Sequence, residues 1–261
     1  MLWLRVVSAL IGIPILIAII NMGGIWLSFA SLALILVGTY ELRGMLINKG
    51  FKPLLIPVLL SQAIFIFGLY KDWESPFALA IGSCFIITLL AFLYYFPQIS
   101  ICDLGLNFFI LIYIGWSLGH LILLRELAQG NIILIYLFIV IWSTDTGAYF
   151  GGRFFGKRKL SPQISPNKTI EGAIGGLLFS ILVGVVFNRL FSLFPLDFMI
   201  ITTVILSVCG QLGDLIESGI KRQTGVKDSG NIIPGHGGVL DRFDSTILAV
   251  PVLFYLIVFF S

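Results

Sequence analysis

The sequence predicts an all-α polytopic membrane protein with about nine transmembrane helices, a cytoplasmic N-terminus and a C-terminus outside. Of its 261 residues, 58% are hydrophobic and 11% are charged, and the mean hydropathy is +1.06. Soluble domains are about 25% charged, so a soluble globule and a disordered chain are excluded. Three cysteines are too few for a disulfide scaffold, and a net charge of +3 predicts no nucleic-acid partner.

Long uncharged stretches locate the predicted helices. The stretch 6–40 is interrupted by Asn21-Met22-Gly23-Gly24, which predicts two helices joined by a tight turn. One helix each is predicted from the stretches 53–70, 75–102, 104–124, 127–144, 172–188, 198–213 and 245–261. Such stretches are too long for barrel strands of about 10 residues, so they predict helices that span a lipid bilayer.

The distribution of basic residues predicts the orientation. With the N-terminus inside, 13 of the 16 Lys and Arg residues lie in cytoplasmic segments. We therefore expect the cytoplasmic membrane and polar loops that face the cytoplasm. We divide the chain into residues 1–140, for packing, lipid access and dimer contacts, and residues 141–261, a catalytic region.

Few polar residues of the first region call for a function. Glu41 and Arg43 follow Tyr40 at the end of the second helix, and we interpret them as an interfacial anchor rather than as functional groups. His120 lies in an apolar helix and is interpreted as hydrogen-bonded packing. The three cysteines lack metal-ligand spacing and are interpreted in the same way.

The second region places a carboxylate where lipid disfavours it. Asp145 ends the sixth predicted span within Trp142-Ser143-Thr144-Asp145-Thr146-Gly147. A central Asp costs about 2.5–3.5 kcal/mol on insertion scales, so this side chain is expected to face a protein interior or a wet cavity. The alternative is an Asp at the headgroup level.

The next loop contains two recognisable patterns. Gly151-x4-Gly156-Lys157 superficially resembles a P-loop, but Arg158 occupies the Ser/Thr position and no strand precedes it. Ser165-Pro166 predicts an N-cap followed by the first residue of the seventh helix. That helix would begin with Asn167, Lys168 and Thr169, which predicts an anion site at its N-terminus.

Carboxylates cluster near the last two predicted helices. Asp214, Glu217 and Ser218 share one helix face, where two carboxylates repel unless a cation or a basic partner lies between them. Asp241 and Asp244 open the ninth helix on one face. Hard carboxylates among Lys and Arg predict Mg²⁺ bridged to phosphates rather than zinc. The loops 151–168 and 218–242 are separated by two spans, so both are expected on the same side of the membrane.

A resemblance to a known family rests on a dense polar pattern over 27 residues. Its fixed positions are Ser218, Ile220, Lys221, Arg222, Lys227, Asp228, Gly230, Ile233, Pro234, His236, Gly237, Gly238, Val239, Asp241, Arg242, Phe243 and Asp244. This pattern resembles the signature of the phosphatidate cytidylyltransferase (CDP-diacylglycerol synthase) family, without a departure. The segment from Asp145 through Ser165-Pro166-Asn167-Lys168-Thr169-x-Glu171-Gly172 is also similar to that family.

The resemblance implies a reaction and a set of roles. CTP and phosphatidic acid would give CDP-diacylglycerol and pyrophosphate by direct attack on the α-phosphate, with Mg²⁺ as cofactor and a second, monovalent cation such as K⁺ left open. The implied metal ligands are Asp214, Asp241 and Asp244. The implied catalytic residues are Lys168, Lys221, Arg222, Lys227, His236 and Arg242. The implied substrate-binding residues are Asp145, Ser165, Asn167, Thr169, Glu171, Gly237 and Gly238.

Two other functions stay open from the residues alone. A secondary transporter of an anionic substrate would also carry intramembrane carboxylates, although no inverted repeat is visible here. Another CTP-dependent lipid-phosphate enzyme, such as a polyprenol kinase, is the second alternative. A CDP-alcohol phosphotransferase is disfavoured because its Asp-Gly-x2-Ala-Arg pattern is missing. The Gly-rich spans are compatible with a homodimer.

Overall fold

The computed structural model describes residues 2–232 and 237–260, with side chains from residue 10 onward. The first half of this part holds α1 (Leu2–Met22), α2 (Gly24–Asn48), α3 (Leu55–Tyr70), α4 (Pro76–Tyr95), α5 (Ile101–Ile110), a π-helical segment (Leu111–Trp116) and α6 (Ser117–Glu126). The second half holds α7 (Gly130–Phe155), β1 (Lys159–Ser161), β2 (Ser165–Thr169), α8 (Ile170–Phe191), α9 (Leu196–Thr224) and α10 (Leu240–Phe260).

The helical membrane class is confirmed. Within the described residues, seven helices are long and apolar enough to cross a membrane, and Leu10–Met22 and Leu55–Tyr70 are shorter apolar helices. The outer face of α8 shows why lipid is needed, since it exposes a stripe of aliphatic side chains four residues apart. These side chains are Leu178, Leu182, Val186 and Leu190, each more than half exposed. A water-exposed stripe of this kind would be strongly unfavourable.

The chain forms two compact units: Met1–Leu123 with Gln223–Arg242, and Leu124–Arg222 with Phe243–Ser261. Buried polar pairs join helices within the first unit. Thr39 on α2 and Gln62 on α3 donate hydrogen bonds to each other, at 3.0 and 2.8 Å. Gly115 lies against Gln62, where an added Cβ would come within 2.9 Å of its side chain. Small residues at such contacts let membrane helices approach closely.

A buried carboxylate also secures a turn of the first unit. Asp103 is only 4% exposed and accepts hydrogen bonds from the backbone N–H of Lys52 at 2.6 Å and of Ser100 at 2.9 Å. Asn107, one turn later on α5, accepts from the Leu54 N–H at 2.8 Å. These bonds satisfy backbone groups of the segment before α3 that would otherwise be costly to bury.

Glycines shape the centre of the second unit. Gly147 and Gly151 on α7 face Gly172, Gly175 and Gly176 on α8. An added Cβ on Gly147 would lie 2.8 Å from the Gly175 carbonyl oxygen, and one on Gly176 would lie 2.7 Å from the Thr144 carbonyl oxygen. The two helix backbones are therefore in direct contact, the arrangement that small residues spaced four apart favour in membranes.

The predicted start of the seventh predicted helix, which corresponds to α8 of the structure, is wrong. Ser165 and Pro166 lie in β2, which pairs antiparallel with β1, and α8 begins only at Ile170. Thr169 is the N-cap, and its hydroxyl accepts a hydrogen bond from the Gly172 N–H at 3.1 Å. A capping hydroxyl satisfies an orphan N–H of the first turn, and Thr169 does so three residues before Gly172, whereas Ser165 is occupied in the hairpin.

Candidate active site

A cavity of about 460 Å³ opens in the second unit between α7, β2, α8 and α9. Five predicted site residues line it: Asp145, Asn167, Lys168, Thr169 and Asp214. Residues of α7, the hairpin and α9 therefore meet in this cavity. Asp145 is exposed at this cavity, which agrees with the prediction of a wet environment.

An ion pair joins two walls of the cavity. The Lys168 ammonium lies 2.6 Å from the Asp214 carboxylate, and these side chains keep 28% and 31% of their exposure. Ser218 donates a hydrogen bond to the other Asp214 oxygen at 3.3 Å, one turn further along α9. Because both charged groups stay partly exposed, the ammonium and the carboxylate are both within reach of a ligand in the cavity.

Asp244 extends the negative charge of this unit. Its half-buried carboxylate interacts with the charges of Asp214, Asp145 and Lys221. Gly213 makes the close approach of α9 and α10 possible, since an added Cβ would lie 2.5 Å from the Asp244 carbonyl oxygen. Three carboxylates with one sign of charge stabilise a bound cation or require a basic neighbour.

Lys221, predicted as a phosphate ligand, is engaged within its own helix. Its ammonium lies 3.0 Å from a carboxylate oxygen of Glu217, which is fully buried one turn earlier. Arg222 is exposed, and its Nε donates to the Ile164 carbonyl oxygen at 3.3 Å. The repulsion between the two carboxylates of α9 is thus reduced by two lysines. Lys168 pairs with Asp214, and Lys221 pairs with Glu217.

Glu171 and Ser165, two of the predicted substrate-binding residues in the second unit, do not line this cavity. Glu171 accepts hydrogen bonds from the backbone N–H groups of Lys157 and Arg158, at 3.0 and 3.1 Å, and so holds the loop after α7. Its side chain borders a separate, mostly apolar cavity of about 560 Å³. Ser165 is half-buried in β2 and pairs with Ser161. Their roles toward substrate stay predictions.

The signature residues 223–242 belong to the first unit. One oxygen of Asp241, Oδ2, accepts hydrogen bonds from the Ser229 N–H and hydroxyl, both at 2.9 Å, and from the Gly238 N–H at 2.8 Å. Gly237 has a φ of 86°, and an added Cβ there would lie 2.9 Å from Asp241 Oδ2. The predicted pair of glycines thus allows the backbone to fold closely around the Asp241 carboxylate.

Three other residues of this segment are predicted phosphate ligands: Lys227, His236 and Arg242. Lys227 and Arg242 are exposed. His236 lies outside the described residues, so its assignment stays a prediction.

Three residues of functional interest were missed or misread from the sequence. Arg153 and Tyr149 line the cavity, and the Arg153 guanidinium donates to the Tyr149 hydroxyl at 3.1 Å. Tyr149 follows Asp145 by four residues, and Arg153 follows Tyr149 by four. This helical spacing could have indicated that the three residues share one face of α7. Glu41 is 4% exposed and accepts hydrogen bonds from the backbone of residues 239 and 240, so its interpretation as an interfacial anchor is wrong.

Comparison with known proteins identifies the family of this chain. The model of the cytidylyltransferase family matches residues 3–260. The chain belongs to the cytidylyltransferase family. It is therefore an enzyme, a nucleotidyltransferase that carries several membrane-spanning helices.

Phosphatidate cytidylyltransferases of three bacteria are similar to this chain, two over nearly its whole length and one over part of it. A phosphatidate cytidylyltransferase of Staphylococcus haemolyticus is 40% identical over 265 residues, which cover 97% of this chain and 98% of the relative. That of Staphylococcus epidermidis is 40% identical over 261 residues, with the same coverage. The Bacillus subtilis phosphatidate cytidylyltransferase is 51% identical over 152 residues, which cover 58% of this chain and 56% of the relative.

The acidic residues of this cytidylyltransferase suit a hard cation in donor type. Asp145, Asp214 and Asp244 supply carboxylate oxygens, which Mg²⁺ prefers, and their like charges favour a cation among them. Within residues 2–232 and 237–260, however, no three His, Cys, Asp or Glu side chains form a ready metal-binding group. The metal ligands therefore stay predictions.

Proposed function

We propose that this protein is a phosphatidate cytidylyltransferase that converts CTP and phosphatidic acid into CDP-diacylglycerol and pyrophosphate. The observation that carries the proposal is the Lys168–Asp214 pair in the wall of this cavity, in a chain similar over nearly its whole length to enzymes of that name. The lipid substrate also requires a polar site at a membrane surface, which a polytopic helical protein provides.

The proposed reaction is a direct displacement. An oxygen of the phosphatidate phosphate forms a bond with the α-phosphorus of CTP, and the bond from that phosphorus to the β-phosphate oxygen breaks, which releases pyrophosphate. No side chain needs to be phosphorylated. The residues therefore act by positioning the substrates and by stabilising the charge that moves onto pyrophosphate.

We assign the phosphate-binding role to the cationic side chains at and near the cavity. Lys168 and Arg153 both line it, and they place two positive charges at the cavity. Asn167 and Thr169 add polar groups on the same hairpin wall. Lys221, Arg222, Lys227, His236 and Arg242 are kept as proposed phosphate ligands from the family pattern.

We propose Asp214, Asp241 and Asp244 as the residues that hold Mg²⁺, with a second, monovalent cation such as K⁺ as a further proposal. When bound, Mg²⁺ would neutralise phosphate charge and favour departure of pyrophosphate. The support is the oxygen donor set and the mutual repulsion of Asp214 and Asp244, which a cation would relieve. The Lys168 ammonium lies 2.6 Å from the Asp214 carboxylate and places a positive charge beside it at the cavity.

We also propose nine spans in the cytoplasmic membrane, with the polar loops facing the cytoplasm. The support is the excess of Lys and Arg in those loops together with the two shorter apolar helices, which add to the seven longer ones. A homodimer, with which the Gly-rich spans are compatible, is kept as a prediction.

One assay tests the activity. Purified full-length protein in detergent, given radiolabelled CTP, Mg²⁺ and phosphatidic acid, is expected to form a labelled chloroform-soluble product and one pyrophosphate per product. Omission of phosphatidic acid is the control, and it should abolish both products. If no product forms, uptake of labelled CTP into vesicles that contain the protein would instead support a transporter. Transfer of a γ-phosphate label from CTP to an added polyprenol would support a lipid kinase.

The sidedness is tested by cysteine labelling. In a background without the three native cysteines, Gln163→Cys and Gln223→Cys are both expected to react with an impermeant maleimide only from the cytoplasmic side, because both positions are exposed on predicted cytoplasmic loops. Glu74→Cys, exposed between α3 and α4, is the matched control and should react only from outside. Reaction of positions 163 and 223 from opposite sides would disprove a common face.

A further inference from the structure

Glu41 lies where a membrane helix ends against the signature segment of the same unit. Its carboxylate is 4% exposed and accepts hydrogen bonds from the Val239 N–H at 2.9 Å and the Leu240 N–H at 2.8 Å. Those N–H groups are at the N-terminus of α10, where no earlier turn supplies acceptors. A carboxylate there is stabilised by the helix dipole, so Glu41 sets where α10 begins.

A single serine connects Glu41 to Asp241. The Ser229 hydroxyl oxygen is 3.2 Å from Glu41 Oε2 and 2.9 Å from Asp241 Oδ2. One hydroxyl has one hydrogen to donate, so the two carboxylates share it. The Ser229 N–H, which donates to the same Asp241 oxygen at 2.9 Å, keeps the serine in place.

Glu41 leaves no room for a side chain at two glycine positions of the signature. An added Cβ on Gly230 would lie 2.5 Å from Glu41 Oε1, and one on Gly238 would lie 2.7 Å from Glu41 Oε2. Both glycine backbones therefore pack directly on this carboxylate. Residues 229–230 and 238–240 therefore contact Glu41, and Ser229 and Gly238 also donate hydrogen bonds to Asp241.

We propose that Glu41 is a positioning residue, which orients the Asp241 carboxylate through Ser229 and through the start of α10. The inference rests on the proposed function, in which Asp241 is a metal ligand. Three hydrogen bonds to Asp241 Oδ2 restrict the rotation of that carboxylate, and Glu41 contacts the residue that supplies two of them. Partners that orient a ligand typically change metal affinity or activity by about 10- to 100-fold when mutated.

The test compares Glu41→Gln, Ser229→Ala and the double variant in the full-length enzyme. We expect Glu41→Gln to lower kcat by about 10- to 100-fold, with KM for phosphatidic acid within about threefold of the wild type. Ser229→Ala should lower kcat as well. Because both act on Asp241 through one hydrogen-bonded connection, the double variant should lose much less than the product of the two single losses.

Asp103→Asn is the matched control. Asp103 is equally buried in the same unit and also accepts backbone N–H bonds of a turn, but its described bonds go to Lys52 and Ser100. Because an amide keeps only one accepting oxygen, Asp103→Asn should lower the temperature of unfolding in detergent, as Glu41→Gln should, but leave kcat per folded enzyme within about twofold.

Distinct results separate the possible failures. Product formation by the wild type is measured first, and its absence would refute the proposed function and the inference with it. With an active wild type, an unchanged kcat in Glu41→Gln, losses that multiply in the double variant, or an equal kcat loss in Asp103→Asn would each refute the positioning role alone. If Glu41→Gln does not fold, an unchanged kcat in Ser229→Ala refutes it, because this variant keeps both backbone bonds of Glu41.

Discussion

Replacement of Lys168 by Met is expected to lower kcat by about 100- to 1000-fold, the range for losing one preorganised donor to developing charge. Lys168 is a cation at the cavity, 2.6 Å from Asp214, and Met keeps the length and apolar stem of the side chain. Charge accumulates on pyrophosphate during transfer, so the contact strengthens toward the transition state and acts on kcat as well as on KM. Steady-state kinetics with varied CTP measure both constants.

Lys157→Met and Lys159→Met are the controls. Both side chains are exposed, Lys159 on the hairpin strand that pairs with β2, and neither lines the cavity. Their kcat should stay within about twofold, because exposed charges contribute little. Equal losses at positions 157, 159 and 168 would show that the loop supplies only a diffuse positive field.

Asp214→Asn is expected to abolish turnover while the protein still inserts and folds. The amide keeps the shape and can still accept the Ser218 hydrogen bond, but it removes the negative charge that faces Lys168 and a bound cation. Activity within about tenfold of the wild type, a barrier change of about 1.4 kcal/mol, would mean that this carboxylate is structural. Product formation and the unfolding temperature are measured on the same preparation.

Two companions sharpen this test. Asp197→Asn removes a carboxylate from the first turn of the same helix, away from the cavity of Asp214, and should leave kcat unchanged within about twofold. The double variant Lys168→Met with Asp214→Asn removes both charges of the pair. The double variant should stay inactive if each group takes part in the reaction. Recovery of activity would show that the pair is only a structural salt bridge.

Asp241→Asn is expected to abolish turnover for the reason given for Asp214. The amide oxygen can keep the hydrogen bonds from Ser229 and Gly238, so the variant tests charge more than folding. A kcat within about tenfold of the wild type would exclude Asp241 as an essential ligand.

The helices could be predicted from the sequence because a membrane-spanning helix depends on the hydropathy of its own consecutive residues. Stretches without charge overlap α2, α4, α8 and α10, with ends that differ by up to eight residues, since each backbone polar group in lipid must be satisfied inside its own helix. The polar wall of the cavity was also predictable in part. Asp214 and Ser218 are one turn apart on a helix, so their shared face followed from spacing.

The hairpin could not be predicted from the same local rules. Ser165-Pro166 satisfies the pattern of a helix start, yet Thr169 satisfies it too, four residues later. Pairing of Lys159 with Thr169 and of Ser161 with Ser165 places Ser165 in a strand and leaves Thr169 as the N-cap. A strand pair this short has no recognisable hydropathy pattern. The anion site predicted at the helix N-terminus is therefore displaced, and Lys168 precedes α8 by two residues.

Glu41 could not be predicted for a different reason. Its hydrogen-bond partners are 188 to 199 residues away along the chain, and a glutamate at a helix end is ordinarily an interfacial anchor. Gly230 and Gly238 in the signature indicate that another group packs closely on the backbone there. Glycines at these positions do not indicate which residue that group belongs to.

The return of residues 223–242 to the N-terminal unit has a consequence for biosynthesis. The ribosome delivers α2, with Glu41 near its end, when about four-fifths of the chain has not yet been made. All hydrogen bonds described for Glu41 come from residues 229–240. Until those residues are synthesised, this carboxylate lacks the partners that neutralise the cost of its burial, so it can be buried as described only after residues 229–240 have been made.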